Sequence, residues 1–529
     1  MSDKTKSRDF HQARWNEPII FDLSTPGERG ILLPEMEPEI ETSAGDALGE
    51  LPGDLKRLSP PGLPEMAQMR VLKHYLRLSQ ENLGADLNVD IGQGTCTMKY
   101  SPKINEQFAA SPQLSGLHPV QDENTVQGAL EIMYQLEQFL KAISGMDRFS
   151  LQPGGGSHAI LAIVSMIRAW VDDRGLSDTK DEIITTIFSH PSNCAVARAK
   201  GFKVINIYPD PKTGRPDLEA FKEAVSDRTA ALLITNPEDT GIYNENIKEL
   251  TDLVHSHGGL CSYDQANANG ILGITRAVNA NFDFCFFNIH KTFSSPHGCG
   301  GPGCGVVGVK EHLIPYLPVP LTSFDEASNR YYLDYDVPKT IGKIKDYYGV
   351  IPAMVRAYAW IRSLGAEGLL EAAHVAVLNN NYILNRIRAM KGTEAPYAEG
   401  EHRVEQVRYS FQPLKEETGC GFDEVQRRIC DFMCHIWSSH EPFVVPEPFT
   451  IEPTESYSKQ EIDEYLAALE KIIEEARATP DVLKTAPHNS PIHHVAEHEY
   501  LDDPKLWAVT WRMYKNRFEG YFEPKKEQQ

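Results

Sequence analysis

Five short apolar runs alternate with helical patterns between residues 182 and 288, and this alternation restricts the possible folds more than any other feature. The predicted strands are EIITTIFS, KVINIY, AALLITN, LCSYDQ and FDFCFFN. The segments DLEAFKEAVSD and NENIKELTDLVHSHG between them have helical patterns and the length that a crossover between parallel strands needs. The sequence therefore predicts an α/β domain with a mostly parallel sheet, in which ligands bind at the carboxyl ends of the strands.

Polar side chains follow several of these strands directly. His190, Asn236, Asp264 and Lys291 each come at or just after the end of an apolar run, where a continuing core would be apolar. Because the carboxyl ends of parallel strands lie along one edge of a sheet, we expect these side chains to meet there.

Lys291 follows the aromatic strand that ends at Asn288 and precedes a loop crowded with glycine. A lysine in this position is partly removed from water, which favours the neutral amine that can form a Schiff base. The alternative is a lysine that is paired with an acid or extends its amine to solvent, and that is the commoner fate of a lysine.

A glycine run in LQPGGGSHAI leads directly into an apolar helical pattern. Gly155, Gly156, Ser157 and His158 would place free backbone N–H groups at the positive end of a helix, which is a site for an anion such as phosphate. The run lacks the lysine of a P-loop and the spacing of a dinucleotide-binding motif. A second glycine-containing loop, VDIGQGTCTMKYSP with Lys99, is either a ligand loop or a surface turn.

These groups together match the needs of pyridoxal 5'-phosphate, which are an amine for its aldehyde, a carboxylate for its ring nitrogen, a flat group over the ring and donors for its phosphate. Lys291, Asp264, His190 and the Gly154–His158 turn would supply them in that order. Taken singly, His190 could be a hydrogen-bonded core histidine and Asp264 a helix cap. Their occurrence at successive strand ends favours the cofactor site.

Composition limits the partners and the compartment. The chain has 529 residues, a net charge of −22, nine cysteines and no apolar run of membrane-spanning length. This acidity argues against nucleic acid, and the polar amino terminus and the odd number of cysteines favour the cytoplasm. No metal-ligand spacing occurs, so we expect no metal. We predict an extended arm over residues 1–75, a large domain over 76–340, a small α+β domain over 341–500 and a tail over 501–529.

Several longer motifs carry a resemblance to a known family. They are TCTMKYSP, LHPVQD, NIHKTFSSPHGCGGPG, YLPVPL and EPTES. With them the chain resembles glycine dehydrogenase (decarboxylating), the P-protein of the glycine cleavage system, in its split two-subunit form and as the cofactor-carrying subunit 2. The resemblance runs from about FDLSTPGERGILLP to TAPHNSPIHH and implies a fold-type I large domain similar to that of aspartate aminotransferase.

The resemblance also implies roles for single residues. The Schiff-base lysine of the family falls on Lys291, its ring-nitrogen aspartate on Asp264 and its stacking histidine on His190, which we also expect to act in catalysis. Asn267 falls near the ring hydroxyl, and Thr235 with Asn236 falls in the segment TNPEDTG beside the cofactor.

The implied reaction is decarboxylation of glycine and transfer of the aminomethyl group to the lipoyl arm of H-protein. The implied partners are therefore lipoylated H-protein and a second P-protein subunit in an α2β2 heterotetramer. His297 in the loop after Lys291 would form part of the channel for the lipoyl arm. Arg408 in VRYSFQP could bind a substrate carboxylate through paired N–H groups, although an arginine at the surface is more frequent.

Some positions near the expected cofactor depart from the family pattern. GGSHAI replaces AGAHGE and puts Ile160 at an acidic position, and HPSNCA, TNPEDTG and DQANANG replace HGTNPA, TNPNTLG and DGANLNA. Two alternatives therefore stay open beside the glycine reaction. The chain could be a paralogue that acts on another amino acid, or a non-catalytic scaffold for a partner enzyme.

Overall fold

A computed structural model describes residues 10–83, 87–96, 99–296, 301–440 and 443–491 of the chain. The described residues divide into two compact units, of which the larger lies within 84–485 and the smaller contains residues 10–83 and 486–491. In the described residues, none of the helices combines the length and the apolar character that crossing a membrane requires.

The smaller unit is mostly irregular and contains the helices α1 (Pro38–Ala44) and α2 (Gln68–Gln80). Within it, the Glu17 carboxylate contacts His74 Nδ1 at 3.0 Å and Arg77 Nη1 at 3.1 Å. Burial raises the pKa of Glu17, but the hydrogen bonds from these two side chains outweigh it and leave the pKa below its ordinary value. These contacts attach the irregular chain around Glu17 to α2.

A seven-stranded sheet forms the centre of the larger unit, in the order β1-β7-β6-β5-β4-β2-β3. Its strands are β1 (Arg148–Ser150), β2 (Glu182–Thr186), β3 (Lys203–Ile207), β4 (Thr229–Thr235), β5 (Leu260–Asp264), β6 (Phe284–Asn288) and β7 (Gly305–Val309). The five predicted strands are confirmed as β2 to β6, and their mutual pairings are parallel. The two antiparallel strands β1 and β7 were not predicted, because β1 has three residues and β7 contains two glycines.

Helices cover both faces of this sheet. Those of the larger unit are α3 (Lys103–Ala109), α4 (Pro112–Ser115), α5 (Gln127–Ser144), α6 (Gly156–Asp173), α7 (Pro191–Ala199), α8 (Leu218–Ala224), α9 (Ile247–Ser256), α10 (Ile351–Arg388), α11 (Gln412–Thr418), α12 (Phe422–Ile429), α13 (Lys459–Ala478) and α14 (Pro480–Lys484). One core packs α5, α9 and the first part of α10 against the sheet, and a second core packs α6 and α7 against it. Strands that are buried on both faces have continuous apolar sequences, which is why these strands could be predicted from the sequence.

A third core lies in the carboxyl-terminal part of the larger unit. Strands β10 (Val407–Ser410) and β11 (Pro448–Ile451) pair antiparallel, and the end of α10 packs there with α12 and α13. A separate hairpin joins β8 (Leu321–Asp325) to β9 (Arg330–Asp334). Gly365 interrupts α10 with φ 66° and ψ −174°. The segments AMVRAYAWIRSLG and GLLEAAHVAVLNNNYILNRI have separate helical patterns in the sequence, and the interruption lies between them.

Gly308 is the position in the sheet where we expect a single methyl group to destabilise the larger unit. It pairs with Phe149 across β1 and β7, and a Cβ added to it would lie 2.4 Å from the Phe149 ring. Gly308→Ala is therefore expected to lower the free energy of unfolding by about 1–3 kcal/mol, measured from the urea midpoint. Gly128→Ala in α5 is the control, because no atom lies within 4 Å of its added Cβ. An unchanged midpoint for Gly308→Ala would contradict this packing.

Candidate active site

Lys291 lies in a turn just after β6, and its backbone N–H donates to the Asn288 carbonyl at 2.9 Å. The residue is 9% exposed. Among the residues that the structure describes, no side chain or carbonyl forms a hydrogen bond or an ion pair with its amine. A buried amine without a partner is free to react, and the alternative of a solvent-extended or acid-paired lysine does not fit this position.

Asp264 is the last residue of β5, the strand next to β6. Its carboxylate is buried and accepts hydrogen bonds from the Ala266 backbone N–H at 3.1 Å and from Asn193 Nδ2 at 3.2 Å. Burial raises the pKa of Asp264 to about 6, and these hydrogen bonds and the nearby Lys291 amine only partly offset the effect. The carboxylate therefore lies in a setting that a cationic ligand atom would stabilise.

His190 precedes α7 and caps its amino terminus, because its Nδ1 accepts the Ser192 backbone N–H at 3.1 Å. Its ring meets the His440 ring edge to face, with 4.6 Å between the centroids and 76° between the planes. Burial, then the neighbouring His440 and Lys291, lower the pKa of His190 to about 4. The ring is thus neutral at physiological pH and can lie flat against an aromatic ligand.

The predicted anion turn lies at the start of α6, whose first residue is Gly156. The Gly154 backbone N–H donates to His158 Nδ1 at 3.1 Å, while Ser157 is exposed at the first turn of the helix. A Cβ on Gly156 would lie 2.7 Å from Asn288 Nδ2, so the turn leaves no room for a side chain there. The side chain of Lys345 approaches this turn from a distant part of the chain, and its amine lies 3.7 Å from the position of a Gly154 Cβ.

Thr235 and Asn236 follow β4, and the structure gives them different surroundings. Asn236 holds a turn, because its Nδ2 donates to the Asn244 carbonyl at 3.1 Å and its Oδ1 accepts the Asn244 N–H at 2.8 Å. It also borders a cavity of about 280 Å³ that Tyr243, Tyr263 and Arg276 line and that does not include Lys291. The Thr235 hydroxyl is buried without a hydrogen-bond partner among the described residues.

Asn267 connects the loop after β5 to the carboxyl-terminal part of the chain. Its Nδ2 donates to Glu452 Oε1 at 2.6 Å, and its Oδ1 accepts the Thr292 hydroxyl at 3.2 Å. Thr292 is the neighbour of Lys291 in the chain, so a single hydrogen bond joins Asn267 to the segment of Lys291.

Arg408 lies in β10 and is 5% exposed, which excludes the surface position that is common for arginine. Its Nη2 bonds Asp239 Oδ2 at 2.8 Å, and its Nε is buried without a partner in the described chain. One N–H group of the guanidinium therefore bonds to Asp239, and the Nε–H group can donate to a ligand. The other residue predicted to bind substrate, His297, lies outside the described residues.

Sequence reasoning did not assign several residues that the structure places in this region. They are Lys99, Asn193, Lys345, Glu405 and Glu452. Lys99 is buried, bonds Asn269 Oδ1 at 2.8 Å and pairs with Glu455, so its loop is no surface turn. The motif EPTES contained Glu452, but only the contact with Asn267 shows which way its carboxylate points.

The donor set fits pyridoxal phosphate. A buried amine without a partner suits the aldehyde, and a buried carboxylate without an ion pair in the described chain suits a protonated ring nitrogen. The α6 amino terminus, where Gly156 has no space for a Cβ and Lys345 adds positive charge, suits a phosphate. The three sets of groups complement the aldehyde, the cationic ring nitrogen and the anionic phosphate of this cofactor.

Two family models match the chain. The model described as aminotransferase class-V matches residues 153–341, and the model described as glycine dehydrogenase, C-terminal domain, matches residues 372–496. The first covers Gly154–His158, Asp264 and Lys291, and the second covers Arg408 and Glu452.

Solved structures with the same fold include glycine decarboxylase (P-protein) of the glycine cleavage system in inhibitor-bound form. The TM-score is 0.69 at 18% identity, and the match covers 84% of this chain and 100% of that one. The sphingosine-1-phosphate lyase of Burkholderia pseudomallei matches with a TM-score of 0.55 at 16% identity, over 82% of this chain and 99% of that one. The prediction of a fold-type I architecture with a smaller α+β part is confirmed.

Curated relatives match along nearly the whole chain. A protein of Pyrococcus abyssi named probable glycine dehydrogenase (decarboxylating) subunit 2 is 47% identical over 506 residues, which cover 96% of this chain and 98% of the relative. A protein of Caldanaerobacter subterraneus with the same name is 42% identical over 480 residues, covering 90% and 96%. The chain belongs to the glycine dehydrogenase (decarboxylating) subunit 2 family.

Proposed function

We propose that this chain is the pyridoxal-phosphate subunit of a glycine dehydrogenase that decarboxylates glycine and passes the aminomethyl group to the lipoyl arm of an H-protein. The chain is a pyridoxal-phosphate enzyme by its family and its fold. The observation that carries the assignment to residues is the buried Lys291 amine, which has no partner among the described residues, close to the buried Asp264 carboxylate at one edge of the sheet.

Each candidate residue has one task in this proposal. Lys291 holds the cofactor covalently, and Asp264 stays ionised beside the ring nitrogen, with Asn193 fixing its orientation. Bound pyridoxal phosphate supplies an electron-accepting ring, which takes up the electrons released when the glycine carboxylate leaves as carbon dioxide. His190 covers one face of the ring as a neutral imidazole, so it adds no positive charge near the protonated nitrogen.

The anionic groups have their own binding residues. The backbone N–H groups at Gly155, Gly156, Ser157 and His158 and the Lys345 amine hold the phosphate. The unpartnered Nε–H of Arg408 binds the substrate carboxylate, while Asp239 fixes the guanidinium from the other side. Asn267 and Thr235 contact the ring substituents, and Asn236 supports the loop next to them through Asn244.

Family membership as a subunit 2 means that the chain works with a second subunit. We propose an α2β2 assembly in the cytoplasm, with His297 in the channel that admits the lipoyl arm. The net charge of −22 suits small-molecule chemistry and a protein partner rather than nucleic acid.

Exchange of labelled bicarbonate into the carboxyl group of glycine tests this function. The chain, purified with its second subunit, is expected to catalyse the exchange when pyridoxal phosphate and lipoylated H-protein are both present. Omitting H-protein or using its unlipoylated form is expected to lower the rate at least tenfold. Exchange that does not depend on H-protein would contradict the proposed acceptor.

A panel of amino acids separates glycine from other substrates. Ile160 and Glu238 differ from the family pattern, and both are buried close in sequence to predicted cofactor-binding segments. The panel therefore tests whether these two differences change the amino acid that the enzyme accepts. Decarboxylation of another amino acid without activity on glycine would establish a paralogue. A chain that lacks both the cofactor and activity, yet stabilises its partner, would establish a scaffold.

A further inference from the structure

Two buried acids from the carboxyl-terminal part of the chain bond to the loop that follows β5, and the charge of Lys291 acts on both. Glu405 is 2% exposed and Glu452 is 1% exposed. Glu405 Oε2 accepts the Gly270 backbone N–H at 3.0 Å, and Glu452 Oε1 accepts Asn267 Nδ2 at 2.6 Å. Both acids therefore bond to the loop that follows β5 and Asp264.

The second oxygen of Glu452 has no donor. Its Oε2 is buried and makes no hydrogen bond within the described residues. A buried carboxylate oxygen in this state costs free energy unless it carries a proton or meets a ligand donor. Glu452 is linked to the segment of Lys291 through Asn267 and the Thr292 hydroxyl.

The charged groups around the two acids do not neutralise them. Lys99 faces both acids but is bonded to Asn269 and Glu455, and Asp239, which faces Glu405, is paired with Arg408. Of the two lysines in the described chain that act on both acids, Lys291 is the one whose amine makes no ion pair there. Burial, followed for Glu452 by the charge of Glu405, raises the pKa of each acid above its ordinary value, and Lys291 and Lys99 only partly oppose this.

We propose that Glu405 and Glu452 hold one proton between them, and that their ionised oxygen accepts a proton from the ammonium group of the amino acid as it approaches Lys291. This inference rests on the proposed function, since it assigns the group that prepares the substrate amine. One N–H bond of the ammonium breaks and one O–H bond forms on the acid pair. The neutral amine keeps the electron pair that it needs to displace Lys291.

Infrared difference spectra of the full-length, cofactor-free protein test the shared proton without any activity. The wild type is expected to show a protonated-carboxyl absorption that disappears as the pH rises. Glu405→Gln and Glu452→Gln should each remove part of it and shift the ionisation of the remaining acid to lower pH, since its negative neighbour is gone. Glu238→Gln identifies the separate signal of a third buried acid, whose pKa burial raises to about 8. A remaining acid whose titration is unchanged in both variants would overturn the pair.

The pH profile of glycine exchange tests the transfer to the substrate. Each Gln variant is expected to lose roughly 10²-fold in kcat/KM near pH 7 and to recover as the pH rises, because free amine then comes from solution. Glu405→Asp keeps a carboxyl group, so its rate should fall less than that of Glu405→Gln and its pH profile should keep the wild-type shape. An equal loss at every pH in both Gln variants would overturn the proton-accepting role. Exchange missing from the wild type at every pH would contradict the proposed function, and the infrared titration would still decide on the shared proton.

Discussion

Replacing Lys291 with alanine is expected to abolish the visible absorption band of the covalently held cofactor and to lower glycine exchange by on the order of 10³-fold or more, about 4 kcal/mol in activation free energy. Both losses follow because Lys291 is the residue proposed to hold the cofactor. The amine of Lys291 has no partner in the described chain, so its removal breaks no hydrogen bond or ion pair there. The variant is therefore expected to fold. Absorbance after dialysis that removes free cofactor, together with the exchange assay, measures both effects.

Lys310→Ala is the matched control for this variant. Lys310 follows β7, and its amine pairs with Asp147 at 2.6 Å, so it shares the lysine chemistry without a place among the site residues. It should keep the absorption band and the exchange rate. If Lys291→Ala retained the band after dialysis, the cofactor would be bound elsewhere and the non-catalytic alternative would gain support.

The residues at the strand ends were predictable because a parallel sheet orders them. Apolar runs of strand length separated by helical patterns determined where each strand would end, and Asp264 and Lys291 then had to lie at neighbouring strand ends on one edge. The anion site at the glycine run before α6 could also be predicted from local sequence, because a helix that begins at Gly156 has free N–H groups in its first turn. These predictions depended on local pattern and on one topological rule.

The acids from the carboxyl-terminal part could not be found in this way. Glu405 and Glu452 reach the site across 135 and 185 residues of chain through single hydrogen bonds to Gly270 and Asn267. Glu452 lies in the motif EPTES, but the local sequence of neither acid shows that its carboxylate points to the loop after β5. Asn193 is similar, because its side chain reaches Asp264 only after α7 has packed against β2 and β3. Contacts that join distant segments depend on how two cores pack, and periodicity carries no information about that.

The helical pattern of DEVQRRICDFMCHIW predicts a helix over the whole of that segment, and the prediction is partly wrong for a local reason. The segment DEVQRRICDFMCHIW has a helical pattern throughout, but α12 ends at Ile429 and a short 3₁₀ turn follows to Phe432. Met433 then takes a left-handed conformation with φ 60°. The remaining residues lead to Trp437, which pairs with Thr450 next to β11, so pairing with the sheet replaces the last helical turn.

Asp264→Asn is expected to change the protein in opposite directions with and without its cofactor. Without cofactor, burial raises the pKa of Asp264 to about 6 from 3.8, so the native state binds this proton more tightly than the unfolded chain does. The stabilisation by the bound proton is complete below about pH 4 and is lost as the pH rises to about 6. That loss is worth roughly 3 kcal/mol at neutral pH. Asparagine has no such ionisation, so the cofactor-free variant should be more resistant to urea than the wild type at pH 7, and this advantage should shrink toward pH 4.

With cofactor the order reverses. The cationic ring nitrogen would stabilise the ionised Asp264, so the wild type should gain more stability from pyridoxal phosphate than Asp264→Asn does, while the variant loses on the order of 10²-fold in glycine exchange. Urea midpoints at pH 4 and pH 7, each with and without cofactor, measure all four states. Because both proteins share every other buried acid, including Glu405 and Glu452, their difference isolates Asp264. An equal gain from cofactor in the two proteins would show that Asp264 does not face the ring nitrogen. The acid that faces it would then have to be sought among the carboxyl-terminal residues.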